Sequence, residues 1–484
     1  MIETMQTLST NMEHFTLRDL FDLDQRVPRL NGRPGPYINF DNAASTPPLR
    51  GVKDKVNEFM QWYSSVHRGA GYKSQLATHA YETARAITMR FVGADPAVHV
   101  CIFGKNTTEA INKLARRFHF AKGQDIVLVS MMEHHSNDLP YRAVAKVVHV
   151  AVQPNGELDE ADFDRKLRYY SGRVGLVAIS GGSNVTGYIP PLQRLAMKTH
   201  AAGAQFMVDG AQLAPHRKVE LGALDDPGHF DYIALSAHKM YAPYGTGALI
   251  GRRDTFETGD PDLRGGGEVD LVTKDAVTWS APPDRDEAGS PNVVGAVALA
   301  AAIQQLEAIG MDTIAKHEAD LTAYALNRLG RMERVELYGN TDPALAYERL
   351  GVIPFNLRGM SHFLVAAILG YEFGIGVRNG CFCAHPYILS LLGISPNETE
   401  RVRLSMLDHD RRTNPGLVRA SFGMYNTLEE VDQWVEALEK IVRGEYRGRY
   451  VQDAASGDFV PEGWEARFED FFALSPTRLT MRGR

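Results

Sequence analysis

The chain has 484 residues, 44% hydrophobic and 23% charged, enough for a large core and two or three domains. Its net charge of −7 offers no basic face to nucleic acid or anionic lipid. Three cysteines (Cys101, Cys381 and Cys383) are too few for a disulfide framework and suit a reducing, cytoplasmic setting. The opening residues hold no apolar run of signal-peptide length, and no later run approaches the about 18 uncharged apolar residues of a membrane span.

In chain order, short apolar runs alternate with helical periodicity from residue 35 to 250. Ile126–Val129, Val174–Ser180, Phe206–Val208 and Tyr232–Leu235 read as buried strands, because they are rich in Val, Ile and Leu and flanked by turn residues. Thr108–Phe118 and Pro191–Ala202 read as helices between them. This alternation predicts an α/β fold with a mostly parallel sheet, whose ligands gather at the carboxyl ends of the strands. Residues 293–309 predict a nearly all-apolar buried helix, and beyond 310 the pattern shifts to a smaller α+β unit. Ser395-Pro396-Asn397-Glu398 is a capping box opening a helix to about His409. Trp464, Phe468, Phe471 and Phe472 fall on one helical face, which predicts a tail helix packed on the body.

Several motifs carry chemistry at strand ends. Ser236-Ala237-His238-Lys239 follows a strand, where a lysine can meet a cofactor lying over the sheet if its surroundings lower its pKa. By itself such a lysine is usually surface. Asp209, in Met207-Val208-Asp209-Gly210-Ala211-Gln212, is an acid at another strand end, able to keep a pyridine nitrogen protonated, and Gln212 could reach the ring's phenolic oxygen. Asn106-Thr107-Thr108-Glu109 is an N-cap whose hydroxyls and free N–H groups suit a phosphate. In Glu133-His134-His135-Ser136-Asn137 the adjacent histidines point apart and lack zinc-site spacing, so no metal is expected; an imidazole stacked on a planar cofactor fits better.

Together these residues resemble the class V aminotransferase family of pyridoxal-5′-phosphate (PLP) enzymes, fold type I, and within it the cysteine desulfurase and selenocysteine lyase branch. Further matching strings are Asp41-Asn42-Ala43-Ala44-Ser45-Thr46, Val66-His67-Arg68-Gly69, Ser183-Asn184-Val185-Thr186-Gly187 and Glu287-Ala288-Gly289-Ser290-Pro291-Asn292. The resemblance runs from about residue 35 to 445. It implies a large PLP-binding domain over 35–300 with a mostly parallel seven-stranded sheet. A smaller α+β domain would span 301–484, including an insertion at 385–416 and a tail at 450–484. Residues 1–34 would pack with the small domain.

The resemblance also implies roles. Lys239 would hold PLP covalently, Asp209 would pair with its ring nitrogen, Gln212 would contact its phenolic oxygen and His134 would stack on it. Thr107, Thr108, Ser236 and His238 would bind the phosphate, helped by Ser290 from the partner subunit of a homodimer. Asn184 would orient cofactor and substrate, Arg419 would clamp the substrate carboxylate, and Ala44 and His67 would line the substrate side. Arg378-Asn379-Gly380-Cys381-Phe382-Cys383-Ala384 matches the family's persulfide segment, with Cys383 as the nucleophile and Cys381 the second candidate. The expected reaction converts L-cysteine to L-alanine and leaves a persulfide on Cys383 for a sulfur-acceptor protein. The Gly-Cys-Phe-Cys arrangement also resembles molybdenum-cofactor sulfurases.

Three features depart from the family pattern: about twenty extra residues between Cys383 and Arg419, a Tyr244 expected to narrow the pocket, and the tail. They leave open another class V reaction on a small amino acid (transamination, epimerisation or C–S lysis) or a non-catalytic role.

Overall fold

The computed structural model describes residues 16–474. Seven strands form the large sheet: β1 (His99–Gly104), β2 (Ile126–Ser130), β3 (Lys146–Val150), β4 (Val174–Ser180), β5 (Gln205–Asp209), β6 (Tyr232–Ser236) and β7 (Gly247–Arg252). Their spatial order is β1-β7-β6-β5-β4-β2-β3. Only β7 runs antiparallel to its neighbours β1 and β6. The central strands β2, β4 and β6 are buried along their whole length, which is why they read as continuous apolar runs. Register sets Ser180 beside Asp209 and Asp209 beside Ala234, so the carboxyl ends of β4, β5 and β6 form one ledge.

Helices α1 (Arg50–Met60), α2 (Tyr72–Phe91), α3 (Thr107–Arg117), α4 (Leu192–Ala201) and α5 (Val293–Ile309) lie in or against this part of the chain. As expected, α5 is nearly all apolar and buried; it packs on α1 and α2 inside the main core. It meets α6 (Met311–Leu329) at a 77° bend. Among the described residues, no single helix is long and apolar enough to cross a membrane. A two-stranded hairpin, β8 (Val269–Val272) and β9 (Val277–Trp279), projects with Leu271, Val272 and Val277 exposed.

The second sheet is antiparallel, with β10 (Val335–Leu337), β11 (Val352–Leu357), β12 (Arg378–Gly380) and β13 (Leu417–Ser421) in the order β10-β11-β13-β12. Its apolar cluster includes Phe355 and the fully buried Trp434, with Phe40 entering from the N-terminal side. The Trp434 ring meets Phe40 at 5.6 Å and Phe355 at 5.5 Å in edge-on contacts. Against this cluster pack α7 (His362–Ile368) and α10 (Leu428–Val442), which carries Trp434; α8 (His385–Leu391) buries Tyr387 and Ile388 in the main core, and α9 (Pro396–Leu407) has no buried residue.

The N-terminal segment, of which residues 1–15 lie outside the described residues, packs on the main core and pairs with α10. The Phe21 ring packs on Tyr241 and Tyr425, and Arg18 pairs with Glu430 at 2.7 Å. The Ser395–Glu398 capping box forms and opens α9, which ends at Leu407, two residues short of the expectation, before His409 turns left-handed at φ 59°. The tail departs further. It forms a hairpin, β14 (Tyr450–Gln452) with β15 (Phe459–Pro461), bonded to the end of the insertion through Arg411 N–H to Ala454 O at 2.8 Å. The expected aromatic tail helix is absent from the described residues: only Phe468–Asp470 makes a short turn, and Phe468, Phe471 and Phe472 are exposed. Trp464 alone packs, edge-on to Tyr371 at 5.1 Å. An aromatic stripe marks a face that needs burial but does not supply the helix, and the hairpin draws the chain away first.

Trp434→Ala would leave a cavity between the second sheet and α10. It is expected to cost about 3–5 kcal/mol, read as a lower denaturant midpoint with an unchanged slope.

Candidate active site

The ledge formed by β4, β5 and β6 floors a cavity of about 310 Å³. Every residue singled out in the sequence for the cofactor lines it except Ser290, and of the substrate group only His67 lies elsewhere. Ser290 and His67 line a separate cavity of about 330 Å³ with Arg68 and Gly267.

Lys239 ends the short turn after β6 and extends into the first cavity. Burial pulls its amine down to about 8, with Asp209 opposing and Arg419 assisting. Asp209 is buried at the end of β5, and burial raises its carboxyl above the ordinary range. One of its oxygens accepts the Ala211 N–H at 3.0 Å. Gln212 donates to Ala43 O at 2.7 Å, which fixes the amide and leaves it a second hydrogen.

Asn106 caps α3 by accepting the Glu109 N–H at 3.0 Å. This turns Thr107 and Thr108 toward the cavity. Thr107 Oγ1 is buried with no hydrogen-bond partner, and Thr108 Oγ1 lies 2.8 Å from Ser136 Oγ. Gly247 allows this approach, because a Cβ there would run into the Asn106 backbone and the Leu235 carbonyl.

His134 is pushed down to about 3 by burial and by the Lys239 charge, so its ring is neutral. Its Nδ1 accepts the Ser136 N–H at 3.1 Å, which leaves the proton on Nε2. Beneath it, buried Glu133 accepts from Asn137 Nδ2 at 2.7 Å and Ser180 Oγ at 2.8 Å, fastening the histidine loop to the ledge. His238 is likewise held neutral, pushed down to about 4 by burial and by Lys239.

The opposite wall comes from the second sheet. Arg419, on β13, is buried and donates to Asn184 O at 2.9 Å and to Asp41 at 3.0 Å. Its Nε has no partner. Burial lowers it to about 10, so it is a cation at neutral pH. Arg378, on β12, also pairs with Asp41, at 2.9 Å, and lines the cavity.

Phe382 and Cys383 are consecutive left-handed residues, with φ 51° and 56°. Asn184 Nδ2 donates to Phe382 O at 2.7 Å, and His135 N–H donates to Cys383 O at 2.8 Å. The turn presents Cys383 exposed in the cavity. Cys381 faces away: its Sγ donates to Pro415 O at 3.2 Å, and burial pushes its thiol up to about 11.

Tyr244 does not line the cavity, contrary to the expectation from its neighbours in sequence; it packs partly buried against the main core. Sequence reasoning missed Asp41, Arg378 and Glu133 as working residues. All three stand inside quoted strings, but nothing local distinguishes a buried charge that bridges distant elements from a surface one.

A family model described as Aminotransferase class-V matches residues 38–434. The chain is 35% identical over 439 residues to a probable cysteine desulfurase of Halalkalibacterium halodurans, covering 89% of this chain and 98% of that one. It is 36% identical over 424 residues to a cysteine desulfurase of Dickeya dadantii, covering 86% and 93%. Among solved structures, an apo cysteine desulfurase from Thermococcus onnurineus superposes with TM-score 0.73 at 34% identity, covering 84% of this chain and 95% of that one. With the sheet order, the ledge and this match across most of its length, the chain belongs to the class V aminotransferase family.

Proposed function

We propose that this chain is a PLP-dependent cysteine desulfurase, converting L-cysteine to L-alanine and keeping the sulfur as a persulfide on Cys383. The observation that carries this reading is that exposed Cys383, the lowered-pKa Lys239 and the buried Arg419 line one cavity. The names of the relatives support the same substrate.

The residues fit PLP. The unpartnered Thr107 hydroxyl at the start of α3 suits a phosphate, with Thr108, Ser236 and His238 around it. A protonated pyridine nitrogen would restore the charge that burial takes from Asp209. Gln212 would reach the phenolic oxygen, His134 would lie against the ring, and Lys239 would form the covalent bond. When bound, PLP withdraws electrons from the substrate α-carbon.

The chain's own groups supply the rest. Arg419, with Nε free, takes the substrate carboxylate, beside Arg378. Asn184 holds both Arg419 and the Cys383 turn in place. Lys239, titrating about 8, can take the α-proton and return it. The Cys383 thiolate attacks the substrate sulfur and the carbon–sulfur bond breaks. The β-carbon takes a proton from water, because the neutral His134 has no acidic proton to give; alanine leaves and the sulfur stays on Cys383 Sγ.

We infer a homodimer in which the partner subunit's Ser290 completes the phosphate site. Supporting this, Ser290 lies outside the cavity of its own chain, and the β8–β9 hairpin exposes Leu271, Val272 and Val277. A sulfur-acceptor protein would approach past the insertion carrying α9, which follows Cys383. Three free thiols suit a reducing cytoplasm.

Labelling of Lys239 by a small amine-reactive reagent in cofactor-free protein is expected to rise with pH around a midpoint of about 8, because burial favours the neutral amine. A midpoint near the ordinary lysine value of about 10.4 would contradict it. Cys383→Ser is expected to abolish alanine formation from L-cysteine while cofactor absorbance persists; equal activity would point instead to another class V reaction. Arg419→Lys, which loses the fork, is expected to raise KM for L-cysteine by about 10- to 100-fold, measured as alanine released.

A further inference from the structure

A second cluster of ligand-type side chains lies at the amino end of β6, the end of the strand away from the cavity, unused by the chemistry above. His200 is the penultimate residue of α4, His229 stands in the loop before β6, and Asp231 immediately precedes that strand. The length of β6 separates Asp231 from the cavity, roughly 16 Å along extended backbone. One nitrogen from each ring and one carboxylate oxygen lie within 4.8 Å of one another. His200 Nε2 is 2.8 Å from Asp231 Oδ2, and His229 Nε2 is 3.3 Å from Oδ1. The two rings stack with centroids 4.1 Å apart and planes 15° from parallel. His229 and Asp231 are buried, and His200 is partly exposed.

The backbone partners of the two rings set their tautomers. His200 Nδ1 lies 2.7 Å from Pro227 O, and His229 Nδ1 lies 2.6 Å from Asp226 O. A carbonyl only accepts, so both Nδ1 atoms carry protons. A neutral ring then aims the Nε2 lone pair at a carboxylate that also has only lone pairs. Protonating both Nε2 atoms would satisfy these contacts, but it stacks two imidazolium cations face to face. The Arg252 guanidinium already lies 3.3 Å from the same carboxylate. A cation that accepts all three lone pairs removes the conflict. A ring whose Nδ1–H is held by a backbone carbonyl is also the usual outer arrangement of a metal-bound histidine.

We propose that His200, His229 and Asp231 form a site for a first-row divalent cation, zinc being the best match to two imidazoles and a carboxylate. The cation staples the end of α4 to the start of β6. It also reaches β5, through the Phe206 N–H that Asp231 accepts at 2.7 Å. Water takes the remaining position on the exposed side of His200. Arg252 does not block the site, because Asp254 already holds it through Nε at 3.1 Å and Nη2 at 2.6 Å.

The test uses full-length Cys383→Ser protein, whose exposed thiol can no longer compete, stripped by chelator and returned to zinc. One zinc per chain is expected to survive gel filtration, with an X-ray absorption spectrum showing only nitrogen and oxygen ligands. His200→Gln and His229→Gln, each checked for folding by circular dichroism, are expected to weaken zinc binding by about tenfold or more. If neither variant folds, stoichiometry and ligand shell in the parent still decide. No retained zinc, sulfur in the shell, or undiminished affinity in the folded variants would overturn the site.

Discussion

The turn at Phe382 and Cys383 is held down from three directions, and the active cavity exists because it is. Asn184, from the loop after β4, donates to the Phe382 carbonyl; the His135 backbone, from the loop after β2, donates to that of Cys383. Arg419, from the second sheet, lies over the Phe382 ring at 4.7 Å. Two consecutive non-glycine residues in the left-handed region cost roughly 1–2 kcal/mol each, so the turn persists only because these contacts fix it. The large sheet supplies the ledge that carries Lys239 and Asp209, and the second sheet supplies the arginine. Cys383 faces both because its turn is pinned to each.

Charge follows the same division. Lys239, Arg378 and Arg419 face a cavity in which Asp209 is the only carboxylate among the described residues; Asp41 lies behind, occupied by both arginines. The neutral His134 and His238 add no charge. Such a cavity favours a doubly charged phosphate and an amino-acid carboxylate, and the α3 N-terminus reinforces the preference.

Much of this was legible in the sequence. The strands Val174–Ser180 and Tyr232–Leu235 could be read because parallel strands buried on both faces must be apolar throughout, and α9 because its capping box is a local hydrogen-bond pattern. Lys239, Asp209, Thr108, Asn184, Cys383 and Arg419 do converge on one cavity. What depended on long-range pairing could not be read. Asp41 serves two arginines more than 300 positions away, and the tail hairpin bonds to the insertion, so two apparently separate additions form one unit. The aromatic stripe near 468 failed as a helix because periodicity specifies a face and not its partner. His200, His229 and Asp231 have no metal-site spacing; the chain path alone brings them together.

The central claim is that sulfur leaves the substrate for Cys383. Peptide mass spectrometry after brief exposure of the holoenzyme to L-cysteine, with persulfides trapped by alkylation, tests it most directly. The account predicts one added sulfur atom on the Cys383 peptide, appearing in step with the first equivalent of alanine. Alanine release with Cys383 unmodified, or sulfur found on Cys381 instead, would contradict it.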